Sequence, residues 1–186
     1  MVNNPSQKDA IGQVLAAFEG ARPLCVADIG SQSGWLHQAD NDPRNLYLSG
    51  PMGQAPSVAL GVALARPDDD VVAFCGDGAL AMNLTALVTI ADQAPKNLTV
   101  VLLDNDVYEY TKAVPTPSRA LDWKALGASC FGPARSFDSV EAFAKRDGQG
   151  PFFLALKIDA GGALPPGTGL TPEQIKARFA EALAIT

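Results

Sequence analysis

The sequence predicts an α/β fold: a doubly wound parallel sheet with helices on both faces. Three observations lead there. Short apolar runs alternate with helix-like segments along the whole chain. The runs are continuously apolar rather than apolar at every second residue, as strands buried on both faces are. Hydrophobic residues make up 47% and charged residues 18%, enough apolar surface for a core covered from two sides. At 186 residues the expectation is one domain, 1–186.

The elements follow in order. Ile11, Val14, Leu15 and Phe18 have helical spacing within 6–19, with Ser6 or Asp9 available as cap. The run 23–30 ("PLCVADIG") suits a buried strand. "SQSGWLHQAD" reads as a short helix, "NLYLSG" as a brief strand, and "GQAPSVALGVALARP" as a small-residue helix that stops before Pro67. Val71 to Cys75 forms a strand with a turn after it. "ALAMNLTALVTIADQ" reads as one helix from about Leu80, punctuated by Pro95, and "NLTVVLLDN" as the next strand. Residues 107–120 carry Pro115 and Pro117 and read as a loop. "LDWKALGASC" and "SVEAFAKRDG" read as helices and "PFFLALKID" as the last strand. A Gly/Pro linker then leads to a C-terminal helix with Thr171 as N-cap, Pro172 at N1 and Gln174 at N3.

The net charge is −6, and Lys and Arg are scattered, which argues against a nucleic-acid or anionic-membrane surface. No apolar run approaches the roughly 20 residues of a membrane span. The start of the chain lacks the basic and apolar blocks of a signal peptide. The three cysteines, Cys25, Cys75 and Cys130, include no CxxC pair, so free thiols in a reducing cytoplasm are expected. His37, Trp35 and Trp123 read as packing or surface residues, and the run Asp68–Asp70 as a solvated turn.

In this fold class, ligands bind beyond the carboxyl ends of the strands. Two segments sit there: Gly76-Asp77-Gly78 and Asp104-Asn105. The glycines permit a tight turn and close backbone approach to a ligand. A helix starting just after them offers N–H groups to an anion. Asp77 would repel a phosphate unless a cation lay between them, and Mg²⁺ favours such a mixture of protein and phosphate oxygens. Asn105 can supply a second, neutral oxygen, and a backbone carbonyl of the following loop a third. The bland alternative is that Asp77 caps a helix and Asn105 ends a strand.

The spacing makes the signal specific. GDG, 25 residues from Ala79 to Leu103, then Asp-Asn, resembles the cofactor motif of the thiamine-diphosphate-dependent enzymes. The family's usual second element is Asn-Asn; here Asp104 stands first and Asn105 is retained. The segment "NLYLSGPMGQAPSVALGVALARPDDDVVAFCGDG" resembles the sulfopyruvate and phosphonopyruvate decarboxylases of that family, with Gly50-Pro51-Met52-Gly53 where Gly-Ser-Met-Gly is usual. The resemblance implies thiamine diphosphate and Mg²⁺ as cofactors. It makes Asp77, Asn105 and the Val107 carbonyl the metal ligands. Met52 becomes a wedge under the thiazolium, and the Gly50 carbonyl an acceptor for the aminopyrimidine. The cofactor-binding set is then Gly50, Met52, Gly76, Asp77, Gly78, Ala79, Asn105, Val107 and Tyr108.

The implied reaction is decarboxylation of a small 2-keto acid. The glutamate that activates the cofactor in this family has no counterpart here, since Glu109 follows Asn105 on the wrong side. No catalytic residue is therefore assigned. The activating Glu is expected on a pyrimidine-domain, alpha-type partner, in a homo- or hetero-oligomer with sites at subunit interfaces. Asp106 and Glu109 add acid near the substrate side, which disfavours a dianionic substrate unless Lys112 or Arg119 offsets it. Tyr108, Tyr110 and Thr111 face the site or pack the loop. Alternatives are a non-catalytic scaffold of the same fold, half of a carboligase, or a flavodoxin-like nucleotide binder. Against the last stands the absence of GxxxxGK[ST] and GxGxxG.

Overall fold

The computed structural model describes residues 4–20, 22–160 and 162–184. Six parallel strands form its sheet in the order β2-β1-β3-β4-β8-β7. They are β1 (Leu24–Ala27), β2 (Asn45–Tyr47), β3 (Val71–Gly76), β4 (Leu98–Asp104), β7 (Ser136–Phe137) and β8 (Phe152–Lys157). β1, β3 and β4 are buried along their whole length, which is why they read as unbroken apolar runs. Strand order reverses between β1 and β3, because the chain winds to β2 on one side and to β3 on the other. The crevice beyond their carboxyl ends is where this topology places a ligand.

Helices cover both faces. On one lie α3 (Ala55–Ala65), α5 (Thr85–Gln93) and α6 (Trp123–Phe131), packing Ala59, Leu87, Ile90 and Phe131 against Val26, Ala73, Val100 and Phe153. On the other lie α1 (Gln7–Ala16), α2 (Ser31–Ala39) and α7 (Val140–Ala144), packing Ile11, Val14, Leu36 and Phe143 against Cys25, Phe74, Val101 and Leu154. The last helix, α8 (Pro172–Ala184), runs beside β2 and gives Phe179 to the first core and Ile175 to the second.

The caps form as expected. The Ser6 hydroxyl accepts from Asp9 N–H. Gln174 and Thr171 form a reciprocal box: Thr171 N–H donates to Gln174 Oε1 at 2.8 Å, and Gln174 N–H to Thr171 Oγ1 at 3.3 Å. Gly161 of the expected linker and Ile185 of the expected last helix lie outside the described residues.

Two expectations are corrected, and two further features carry no sequence signal. The segment 77–93 is two helices, α4 (Asp77–Met82) and α5, and α4 begins at Asp77 itself rather than near Leu80. The break falls at Asn83, whose side chain turns away to bond the Gly53 carbonyl at 2.8 Å. Residues 107–120 are not plain loop but a small antiparallel hairpin, β5 (Val107–Tyr108) with β6 (Val114–Pro115), followed by a 3₁₀ turn over Pro117–Ala120. β7 is a two-residue strand that no apolar run announces. The run Asp68–Asp70 lies in a turn with Asp68 and Asp70 exposed, as expected, and Asp69 within it pairs with Arg44 at 2.7 Å and Arg66 at 2.8 Å.

The thiols are free, with Cys25 and Cys75 buried. Burial pushes the Cys25 thiol up to about 12, so it stays protonated and unreactive. No helix among the described residues is long and apolar enough to cross a membrane. His37 packs edge-on against Tyr47, with ring centroids 5.5 Å apart.

Candidate cofactor and metal site

A cavity of about 590 Å³ opens at the switch point, within the range of small-molecule sites. All nine residues expected to bind cofactor line it: Gly50, Met52, Gly76, Asp77, Gly78, Ala79, Asn105, Val107 and Tyr108. Tyr110 and Thr111, left open by the sequence, line it too, as does Glu109. β3 delivers Asp77 and β4 delivers Asn105, at neighbouring strand ends paired in register from Val71–Leu98 to Gly76–Leu103.

Gly78 has no room for a side chain, whereas at Gly76 only the movable end of Gln32 stands close. A Cβ on Gly76 would stand 2.6 Å from Gln32 Nε2, and one on Gly78 would run into the Tyr108 ring. Backbone thus faces the cavity directly at both positions. The first-turn N–H groups of α4 have no intrahelical acceptor, and Asp77, Gly78 and Ala79, which carry them, line the cavity.

Asp77 is 2% exposed. Burial pushes its carboxyl up to about 6. A hydrogen bond from Thr116 pulls it back, the Asp104 charge pushes it further, and the Gly78 and Asp77 N–H groups lower it. The Thr116 hydroxyl donates to Asp77 Oδ2. Oxygens of Asp77, Asp104 and Asp106 all lie within 4.8 Å of one another. Asp77 is the most buried of them and has no ion pair among the described residues, whereas the other two are less buried and reached by Lys157. A carboxylate oxygen of Asp77 beside the neutral Asn105 oxygen therefore fits Mg²⁺. Asn105 is 6% exposed, and its Oδ1 accepts from Val107 N–H at 3.0 Å, which fixes the side chain.

The three carboxylates are not equivalent. Asp104 Oδ1 accepts from Ser118 Oγ at 2.8 Å and from Asp106 N–H at 3.2 Å. Its Oδ2 accepts from Lys157 Nζ at 3.2 Å, and Lys157 also reaches Asp106 at 2.6 Å. Ser118 in turn accepts from Trp123 Nε1 at 2.7 Å. The cation that pairs with Asp106 is therefore Lys157 at the end of β8, not Lys112 or Arg119, while Glu109 lies outside that pair. Only the sheet register, which sets Asp104 beside Lys157, brings it there. Trp123, read as packing, also holds this chain of hydrogen bonds.

Sequence reasoning missed Asp28 as well. It follows β1, is fully buried, and accepts three backbone N–H groups, from Gly53, Gln54 and Ala55, at 3.0 to 3.2 Å. Burial pushes its carboxyl up to about 6 against those three donors. The available signal was an aspartate ending an apolar run, one strand away from Asp77. Ser118, Thr116 and Lys157 carried no local signal.

The family model for the thiamine pyrophosphate enzyme, C-terminal TPP binding domain, matches residues 28–140. This chain belongs to that family. The matched span opens at Asp28 and takes in the whole Gly50–Gly53 turn, Asp77 and Asn105. Among relatives, the chain is 35% identical over 172 residues to the sulfopyruvate decarboxylase subunit beta of Methanothermobacter thermautotrophicus, covering 92% of this chain and 91% of that one. It is 32% identical over 189 residues to the phosphonopyruvate decarboxylase of Streptomyces hygroscopicus, covering 95% of this chain but 45% of the longer relative. The benzoylformate decarboxylase of Polynucleobacter necessarius shares the fold, with a TM-score of 0.66 at 17% identity over 87% of this chain and 34% of that one. The chain thus spans nearly all of a thiamine pyrophosphate family beta subunit and less than half of a longer family member.

Proposed function

We propose that the chain is the diphosphate-binding beta subunit of a two-subunit 2-keto acid decarboxylase dependent on thiamine diphosphate and Mg²⁺. The observation that carries this is the convergence of buried Asp77 and Asn105, from adjacent strand ends, on one cavity. The 91% coverage of a relative named as subunit beta supports the two-subunit arrangement. Residues 1–186 form one such unit, working in the cytoplasm.

Asp77 and Asn105 side-chain oxygens and the Val107 carbonyl hold the metal. Gly76 and Gly78 let backbone approach the diphosphate. Met52 and Gly50 line the cavity where, with thiamine diphosphate bound, Met52 would support the thiazolium and the Gly50 carbonyl would accept from the aminopyrimidine. Thiamine diphosphate, when bound, supplies the electron sink for loss of CO₂ from the keto acid. This chain's part is to bind, orient and exclude water. The activating glutamate comes from an alpha-type pyrimidine-domain partner, and the complete site lies between subunits. Glu109 on the cavity wall disfavours a dianionic substrate, so 2-keto acids with uncharged tails are the first to screen.

The test is affinity purification of the tagged chain from its native cell. A short copurifying chain with a pyrimidine-type domain is expected, and the reconstituted pair should consume a 2-keto acid only with Mg²⁺ and thiamine diphosphate. Asp77→Ala should abolish metal-dependent cofactor binding. Cofactor binding without turnover across the screen would favour the scaffold reading; turnover only with a second carbonyl compound would favour the carboligase.

A further inference from the structure

Gly53 is gripped at both ends. Its N–H donates to Asp28 Oδ2 at 3.1 Å, and its carbonyl accepts from Asn83 Nδ2 at 2.8 Å. Asp28 follows β1 and Asn83 follows α4, so the two grips reach in from different elements. The backbone is held in a conformation only glycine adopts comfortably, with φ +79°, and a Cβ there would strike the Ala79 carbonyl oxygen.

Asp28 is an unusual choice for so apolar a place. A fully buried carboxylate is costly unless its lone pairs are filled. Its Oδ1 takes the N–H groups of Gln54 and Ala55 at the start of α3, a cap that a Ser or Thr could also make. The second oxygen is spent on Gly53. Met52, immediately before Gly53, lines the cavity. Fixing both peptide groups of Gly53 fixes the Met52–Gly53 peptide plane, and with it the direction from which the Met52 side chain enters the cavity.

We propose that Asp28 and Asn83 are positioning residues that clamp Gly53 and thereby set where the Met52 side chain stands in the cavity. The consequence for cofactor binding rests on the function proposed above; the clamp itself does not.

Two variants separate the clamp from a mere helix cap. Asp28→Asn keeps one oxygen for Gln54 and Ala55 but turns an amide NH₂ toward the Gly53 N–H, donor against donor. Asn83→Ala removes the grip on the Gly53 carbonyl and leaves the α3 cap intact. The readout is the methyl NMR signal of ¹³C-methyl-methionine protein, with Met52 assigned through Met52→Leu. Met52 is expected to shift or broaden in both variants, while exposed Met82 stays fixed in Asp28→Asn. Thiamine diphosphate affinity with Mg²⁺ should fall about tenfold in each, as loss of one buried hydrogen bond implies. A Met52 signal unmoved by Asn83→Ala would overturn the clamp and leave Asp28 a cap. If the wild-type chain with its partner binds no thiamine diphosphate, the cofactor reading fails by itself, and the Met52 signals still decide the clamp.

Discussion

Asp77 shows how burial sets the working range of one side chain. With its carboxyl at about 6, a proton competes with a cation for the same oxygens. Mg²⁺ affinity measured by calorimetry should therefore weaken as pH falls from 7 through about 6, far above the window of an ordinary aspartate. Gly78 is the second residue whose identity is forced. Gly78→Ala sets a methyl into the Tyr108 ring, an overpacking that should cost about 1–3 kcal/mol in urea unfolding. The same substitution in a Tyr108→Ala background should lose most of that penalty. If it does not, the ring is not what forbids a side chain at 78.

At the scale of elements, the hairpin β5–β6 and the 3₁₀ turn after it are tied to the site through two hydroxyls. Thr116 bonds Asp77, and Ser118 bonds Asp104 while accepting from Trp123. Ser118 is 2% exposed, so Ser118→Ala strands the Trp123 indole N–H and leaves Asp104 Oδ1 with only the Asp106 N–H as donor. The expected loss is about 1–3 kcal/mol of stability, read by urea unfolding. Lys157 closes the network from β8 by bridging Asp104 and Asp106. Lys157→Ala should leave the core strands intact but free the segment 107–120, visible as faster limited proteolysis there. A uniform loss of stability without local cleavage would argue that Lys157 supports the sheet instead.

At the scale of the molecule, the switch point collects two buried carboxylates, Asp28 beyond β1 and Asp77 beyond β3, both pushed up to about 6. Each binds its proton more tightly folded than unfolded. Their contribution to stability is full below about pH 4 and lost as pH rises through about 6. Asp69 has the opposite sign: burial raises its carboxyl but Arg66 and Arg44 lower it further, and that contribution is lost only in stronger acid. The metal-free chain should thus unfold at lower urea at pH 7 than at pH 5. Asp28→Asn should flatten that slope, and saturating Mg²⁺ should raise stability at pH 7 by binding the folded state.

The sequence by itself announced five of the six sheet strands and most helices, and its two motifs carried the family resemblance that implied nine of the residues lining the cavity. Those signals are local: unbroken apolar strands, capping residues, and two short motifs at a fixed separation. It did not show the split of 77–93 into two helices, because what ends α4 is Asn83 reaching the Gly53 carbonyl, 30 residues away in the chain. Nor did it show that Lys157 neutralises the acid after β4. That pairing exists because β8 lies beside β4 in parallel register, with Asp104 opposite Lys157. Thr116, Ser118 and Asp28 are ordinary residues in sequence and acquire roles only through partners on other elements. Local pattern fixes which elements form and what chemistry their ends carry. Only the tertiary structure decides which buried carboxylate is satisfied by the protein and which is left for a cation, since that depends on neighbours far apart in the chain.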